Sequence, residues 1–146
     1  MDLYDAMRTS ASGLSAQRLR MNLISANLAN VNTTRTAEGG PYRRREVVFQ
    51  AVPPARGFGE AMRRAATAAP PSEVRPLKII EDVRPPVLKY DPGHPDADEN
   101  GYVALPSVNV MEEMVNLMSA TRSYEANLNA VRAAREMALK ALEIGK

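Results

Sequence analysis

The C-terminal segment, residues 110–142, reads VMEEMVNLMSATRSYEANLNAVRAAREMALKAL and contains neither proline nor glycine. Mostly apolar residues recur in it every seven positions, in two series offset by four, as in the a and d positions of a heptad repeat. The first series is Val110, Leu117, Tyr124, Val131 and Ala138, and the second is Met114, Thr121, Leu128, Arg135 and Leu142. This spacing predicts a long amphipathic helix within residues 107–146, with Asn109 as its N-cap.

The N-terminal segment, residues 1–36, repeats this pattern. Its two heptad series are Met7, Leu14, Met21 and Leu28, and Leu3, Ser10, Gln17, Ile24 and Val31. We expect a second helix that is capped by Asp2 and ends near Asn30, because the following Asn, Thr and Gly residues disfavour helix.

The middle of the chain, residues 37–106, holds all eleven prolines. Because proline interrupts helices and the inner strands of sheets, this region is predicted to be extended and rich in loops. The run around Val47 predicts one strand, and residues 77–83 and 87–90 are predicted to pair as a small antiparallel hairpin. Residues 53–73 are predicted to form a flexible loop. The expected fold is therefore mainly α, with a small β-hairpin region between two terminal helices.

The composition argues against several classes of function. Lys and Arg total 19 and Asp and Glu total 17, so the net charge of +2 is too small to indicate nucleic-acid binding. The chain has one histidine and no cysteine, which argues against histidine catalysis, thiolate metal sites and disulfides. Its longest apolar runs are too short to span a membrane, and its acidic start lacks an ordinary secretory signal. We therefore expect a protein that is not an enzyme and has no cofactor or resident metal.

The two apolar stripes leave two interpretations open. In the first interpretation they are the core of a self-contained helix pair. In the second they are surfaces that become fully buried only when many copies assemble, because one helix pair buries little apolar area compared with the conformational entropy lost when it folds. In the second interpretation the assembly interface comprises Leu3, Met7, Leu14, Met21, Ile24, Leu28, Val31, Val110, Met114, Leu117, Met118, Tyr124, Leu128, Val131 and Leu142.

A calcium-loop pattern covers residues 96–107. Asp96, Asp98 and Asn100 have the spacing of the first ligands, and Gly101 follows them. The twelfth position, where a bidentate Glu should complete the ligand shell, is instead Ser107. A polar turn is the simpler interpretation, and a calcium-binding module remains a remote alternative.

Two longer motifs resemble the signatures of the flagellar rod, hook and hook-associated proteins. They are SANLANVNT at residues 25–33, and GYVALPSVNV at 101–110 followed by EMVNLMSATRSYEAN at 113–127. The segment PYRRREVVFQ at 41–50 and the short middle region resemble a proximal rod protein within that family. The positions that match the family signatures are Asn27, Asn30, Gly101, Tyr102, Pro106, Arg122 and Asn127.

The resemblance implies a structural subunit that assembles into the hollow, torque-transmitting rod of the bacterial flagellar basal body. It implies export through the flagellar type III apparatus without a cleaved signal, a position in the rod within the periplasm, and terminal helices paired as a coiled coil. The partners implied are copies of the chain itself, the rod proteins FlgB, FlgF, FlgG and FliE, and the export apparatus. A helical adaptor or export chaperone of the flagellar system is the alternative hypothesis.

Overall fold

The computed structural model describes residues 3–53 and 72–144. Two long helices flank four short strands along the chain. The helices are α1 (Leu3–Ala29) and α2 (Val110–Ile144), and the strands are β1 (Arg45–Val52), β2 (Glu73–Glu81), β3 (Val87–Tyr90) and β4 (Tyr102–Leu105). The predicted terminal helices and the predicted strand around Val47 are confirmed. The predicted cap at Asp2 and residues 54–71 of the predicted loop lie outside the described residues.

The start of α2 follows from its N-cap. The Asn109 Oδ1 accepts hydrogen bonds from the backbone N–H groups of Met111 and Glu112, at 3.0 and 3.4 Å. These donors have no partner inside the helix, so the cap supplies one, and the predicted role of Asn109 is confirmed. Among the described residues, neither helix contains an apolar stretch that is long enough to cross a membrane.

The strands form two small sheets, in which β1 pairs with β2 and β3 pairs with β4. The second sheet is antiparallel and sets Val87 opposite Leu105 and Tyr90 opposite Tyr102. The predicted pairing of residues 77–83 with 87–90 is therefore wrong. The connection between them contains Pro85 and Pro86, which lack an N–H group and hold φ near about −65°, so it does not form the tight turn of a hairpin.

The chain divides into two compact units. The described part of the first unit consists of residues 3–18, 49–53, 72–77 and 121–144, and the second consists of 19–48 and 78–120. Ala16 and Ala134 are buried in the first unit. The buried residues of the second unit are Ile24, Asn27, Val47, Val103, Pro106, Glu113 and Ala120. Both units therefore have small cores in which few large apolar side chains are fully covered.

The buried stripe of α2 differs by one residue from the second predicted series. Ala120 and Ala134 are buried, while Thr121 and Arg135, which follow them, are exposed. Polar side chains are stabilised by hydration, which favours exposure of Thr121 and Arg135. Alanine allows another element to approach the helix closely, so the small residues face the core. In the first predicted series Val110 is exposed, while Leu117, Tyr124, Val131 and Ala138 are half-buried.

Candidate structural clamp and assembly surfaces

A group of polar side chains in the second unit, which we call the Asn27 clamp, consists of Asn27, Tyr42, Arg44, Arg45 and Glu113. The Asn27 Nδ2 donates to the Arg45 carbonyl oxygen and to Glu113 Oε2, each at 2.9 Å. The Asn27 Oδ1 accepts from the Tyr42 hydroxyl and from the Arg45 backbone N–H, also at 2.9 Å. An amide side chain has two donor hydrogens and two acceptor lone pairs, so the clamp uses all four.

The clamp contains a buried ion pair. Glu113 is 0% exposed, and its Oε1 accepts a hydrogen bond from Arg44 Nε at 2.7 Å. Burial lowers the pKa of Arg44, but its hydrogen bond to Glu113 and the charge of that carboxylate raise it, and the net pKa lies above its ordinary value. A buried carboxylate is costly unless it is paired and hydrogen-bonded, and the clamp supplies both conditions.

Tyr42 connects the clamp to the loop that follows α1. Burial is the main cause that raises the pKa of its hydroxyl above the ordinary 10.0, although the positive charge of Arg45 partly opposes it. The neutral hydroxyl is therefore favoured, and it is the form that donates to Asn27. The Arg45 guanidinium also lies 5.9 Å from the centre of the Tyr42 ring.

The chain reversal after α1 brings Tyr42 back to the helix. The Asn30 side-chain amide donates to the Ala26 carbonyl oxygen at 2.9 Å, which satisfies an acceptor at the helix C-terminus. The Thr33 hydroxyl donates to Asn30 Oδ1 at 3.1 Å, and the Thr33 carbonyl accepts from the Tyr42 N–H at 3.1 Å. Asn30 thus positions the segment that carries the clamp tyrosine.

In the first unit, polar contacts attach the beginning of β2 to α1. Arg8 forms an ion pair with Glu73, and the Val74 N–H donates to Ser12 Oγ at 3.0 Å. Hydrogen bonds from Arg75 and from Arg8 hold the pKa of Glu73 below its ordinary 4.5. The strand therefore has a fixed starting point on the helix.

The first unit also contains a close approach between α1 and α2. A Cβ atom placed on Gly13 would lie 3.0 Å from the Asn127 Nδ2 atom, tighter than nearly all real contacts of such atoms. Asn127 is held in place because its Nδ2 donates to the Ser123 carbonyl oxygen at 2.9 Å. Glycine at position 13 therefore leaves room for the Asn127 side chain of α2 next to α1.

The β3–β4 hairpin depends on Gly101. Its φ is +80°, a conformation that favours glycine, and an added Cβ would lie 3.0 Å from Tyr90 Cε2. The rings of Tyr90 and Tyr102 meet edge to face, with centroids 5.3 Å apart. Gly101 and Tyr102, which begin the motif at residues 101–110, therefore have a local structural role in the hairpin.

The predicted interface residues are unequally covered. Ile24 is buried. Those that are half-buried are Met7, Leu14, Met21, Leu28, Val31, Leu117, Tyr124, Leu128 and Val131. Those that are exposed are Val110, Met114, Met118 and Leu142. The side chain of Leu3 is outside the described part of the molecule. Among the described members of this set, only Ile24 is fully buried.

The remaining signature positions also differ in environment. Pro106 is buried directly after β4, whereas Arg122 is exposed on α2. The sequence indicates no clamp role for Tyr42, Arg44 and Glu113, although all three lie inside the quoted motifs. The one sequence signal for the clamp is Glu113, a charged residue within a helical motif. Charged side chains on helices are usually exposed to water, so this signal does not indicate a buried residue.

The calcium-loop pattern forms a polar turn. Asp98 Oδ1 accepts from the backbone N–H groups of Asn100 and Tyr102, at 2.9 and 2.8 Å. Asp96 Oδ2 accepts from the Thr34 hydroxyl at 2.7 Å. Within residues 3–53 and 72–144, no cluster of three His, Cys, Asp or Glu side chains is arranged to hold a metal ion.

Two family models match the chain. Residues 7–35 match the model described as flagella basal body rod protein. Residues 99–144 match the model described as flagellar basal body rod FlgEFG protein C-terminal. The first range contains the signature residues Asn27 and Asn30, and the second contains Gly101, Tyr102 and the whole of α2.

Full-length relatives share a single name, flagellar basal-body rod protein FlgC. The relative from Borreliella burgdorferi is 42% identical, with 99% of this chain and 98% of the relative covered. The relative from Bacillus subtilis is 43% identical and that from Salmonella typhimurium is 39% identical, with both chains of each pair covered completely. Similarity therefore extends through the middle region as well as both helices.

Proposed function

Because the chain belongs to the FlgC family of flagellar basal-body rod proteins, we propose that it assembles with copies of itself and other rod proteins into a hollow shaft that transmits torque. It is a structural subunit of the flagellar basal-body rod, and rod proteins are structural, non-enzymatic components. The proposal therefore concerns how the subunit assembles and what each surface contributes.

The observation that carries the proposal is the distribution of apolar side chains on α2. The inward positions Ala120 and Ala134 are small, while large apolar side chains lie on the outside, among them Met114 at 50% and Leu142 at 71% exposure. A helix of a self-sufficient monomer places its large apolar residues inward. Exposed rows of this kind mark surfaces that a protein partner covers.

We assign the Asn27 clamp the role of a rigid support within each subunit. It joins the last turn of α1, the start of β1 and the first turn of α2 through hydrogen bonds of 2.7–2.9 Å. A fully satisfied buried network fixes one arrangement of the elements that it connects. Rigid subunits of this kind would let a shaft carry torque with little bending of each subunit.

The finer parts of the proposal follow the family resemblance. α1 and α2 pair as a coiled coil in the assembled rod, which crosses the periplasm after export through the flagellar type III apparatus. The proposed neighbours are further copies of the chain and the rod proteins FlgB, FlgF, FlgG and FliE. The predicted interface residues, including the exposed Met114 and Met118, contact these neighbours.

Comparison of the isolated and assembled chain tests this proposal. The isolated protein should give less helical circular dichroism than α1 and α2 together would produce, and proteases should cleave it near both ends. The same segments should resist cleavage in purified basal bodies, where mass spectrometry should detect the chain. A protease-resistant monomer that unfolds cooperatively would contradict assembly-dependent ordering. Absence from purified basal bodies would instead favour an adaptor or export chaperone.

A further inference from the structure

The outward face of the β3–β4 hairpin carries apolar and aromatic side chains. Successive residues of a strand point to opposite faces, and directly opposed residues share a face. The register therefore places Leu88, Tyr90, Tyr102 and Ala104 on one face, which we call the hairpin face, and Lys89 and Val103 on the other. The opposite face is covered at Val103, which is 2% exposed, while Val87 on that face is 54% exposed.

The hairpin face departs from the usual pattern of a ribbon that is covered on one side, in which the exposed side chains are polar. Leu88, Tyr90 and Tyr102 are 63%, 65% and 43% exposed. Tyrosine is enriched where proteins bind one another, since its ring supplies apolar contact and its hydroxyl tolerates a wet rim. The hairpin face therefore has the composition of a docking surface.

A second exposed apolar surface lies on α2 within the same unit. Met111, Met114, Val115 and Met118 are spaced i, i+3, i+4 and i+7, which places them on one side of the helix, and each is at least half exposed. We call this row the methionine face. It lies away from Glu113 and Ala120, which are buried, so it is available without opening the clamp.

We propose that the hairpin face of one copy of the chain docks on the methionine face of a second copy. Methionine sulfur makes favourable contacts with aromatic rings and adapts its shape to them, which matches three methionines with two tyrosines.

Joining two different faces also has the symmetry that a rod requires. A contact between identical faces closes as a dimer, whereas a contact between different faces leaves one free face at each end and continues as a ring or helix. The inference rests on the proposed function, because only an assembling subunit needs such a contact. It adds to that function a specific pair of surfaces between neighbouring copies.

Paired cysteine variants test the contact, since the chain contains no cysteine of its own. Leu88→Cys and Val115→Cys are produced together in cells of the source bacterium, and purified basal bodies are treated with a short thiol-specific cross-linker. A cross-linked dimer that joins position 88 to position 115 is expected. Cells with only one of the variants should give no dimer.

The matched control replaces Leu88→Cys by Lys89→Cys, on the opposite face of the same strand. That control should incorporate into basal bodies and lose the cross-link to position 115. Ala104→Cys with Met118→Cys forms a second, milder pair on the same two faces and should also cross-link. Agreement between the two pairs separates a docking contact from an accidental encounter.

Three results would overturn the inference. They are incorporated variants without the mixed dimer, dimers that join only identical positions, and cross-links from both faces only to a different rod protein. In each case incorporation into the basal body would leave the proposed function standing. Absence of the unmodified chain from basal bodies would contradict the proposed function itself.

Discussion

Asn27 and Glu113 are joined by a 2.9 Å hydrogen bond, although 86 positions separate them along the chain. Their exposed fractions are 1% and 0%, so water cannot replace either partner. Because Asn27 lies in α1 and Glu113 in α2, this bond connects the two ends of the sequence within the second unit. Loss of this hydrogen bond should lower the free energy of unfolding by more than loss of a surface hydrogen bond does.

Glu113→Gln should lower the free energy of unfolding by about 3 kcal/mol, because it removes the buried counter-charge of the Arg44 guanidinium and leaves Arg44 only its exposed partner Glu46. Urea treatment of purified basal bodies, followed by the fraction of the chain that is released, measures the change in the assembled subunit. Glu112→Gln is the matched control, since Glu112 is exposed on the same helical turn. Equal urea midpoints for the two variants would contradict a clamp that depends on the Arg44–Glu113 pair.

Tyr42→Phe should destabilise the chain by about 1 kcal/mol near pH 8, because Asn27 Oδ1 loses one of its two donors. The difference in stability between Tyr42→Phe and the unmodified chain should shrink as the pH rises above 10. The raised pKa of Tyr42 means that the folded state keeps its proton longer than the unfolded state does. That stabilisation is complete below pH 10 and is lost as the pH rises through the folded-state pKa.

The control for Tyr42 is Tyr4→Phe, at a position that is 68% exposed. Its urea midpoint should follow that of the unmodified chain at every pH. A gap between Tyr42→Phe and the unmodified chain that stays constant or widens between pH 8 and 11 would contradict the role assigned to the neutral hydroxyl.

Gly101→Ala should destabilise the hairpin by about 1–3 kcal/mol, because alanine at φ +80° is strained and its Cβ would approach Tyr90. Gly93→Ala is the control, since φ is not positive there and the nearest neighbouring atom would lie 3.8 Å away. Amide hydrogen exchange across residues 87–105 should accelerate in the first variant alone. Unchanged exchange in Gly101→Ala would show that the turn tolerates a side chain.

The elements that the sequence predicts well are those decided locally. Heptad spacing and an N-cap at Asn109 suffice for α2, since helical hydrogen bonds join nearby residues. The pairing of β3 depends instead on a partner strand beyond the turn at Gly101, and the prolines before β3 exclude the nearer partner. Strand existence was therefore predictable, while strand pairing was not.

The clamp could not be predicted, because its members are distant along the chain and each has a simpler local explanation. Glu113 looks like a favourable acidic residue in the first turn of a helix, and Arg44 looks like part of a solvated basic run. Only the fold brings them within 2.7 Å of each other. The burial of Ala120 in place of Thr121 could not be predicted either, because it depends on how closely other elements approach the helix.

Gly13→Leu should disrupt the packing of α1 beside α2 in the first unit. Even a Cβ at this position would lie 3.0 Å from the Asn127 amide, and the longer leucine side chain would require the helices to separate. Leucine favours helix more than glycine does, by roughly 0.5–1 kcal/mol, so a loss cannot come from helix propensity. The expected result is a net destabilisation of about 1–3 kcal/mol, as in overpacked cores.

Ala11→Leu is the matched control for Gly13→Leu, because Ala11 is exposed on the same helix. It adds the same side chain without facing Asn127, so incorporation into basal bodies and swimming should be preserved. Gly13→Leu should reduce both, since a subunit with separated helices cannot present its surfaces in register. Normal swimming of the Gly13→Leu strain would show that the close approach at Asn127 is dispensable for the assembled rod.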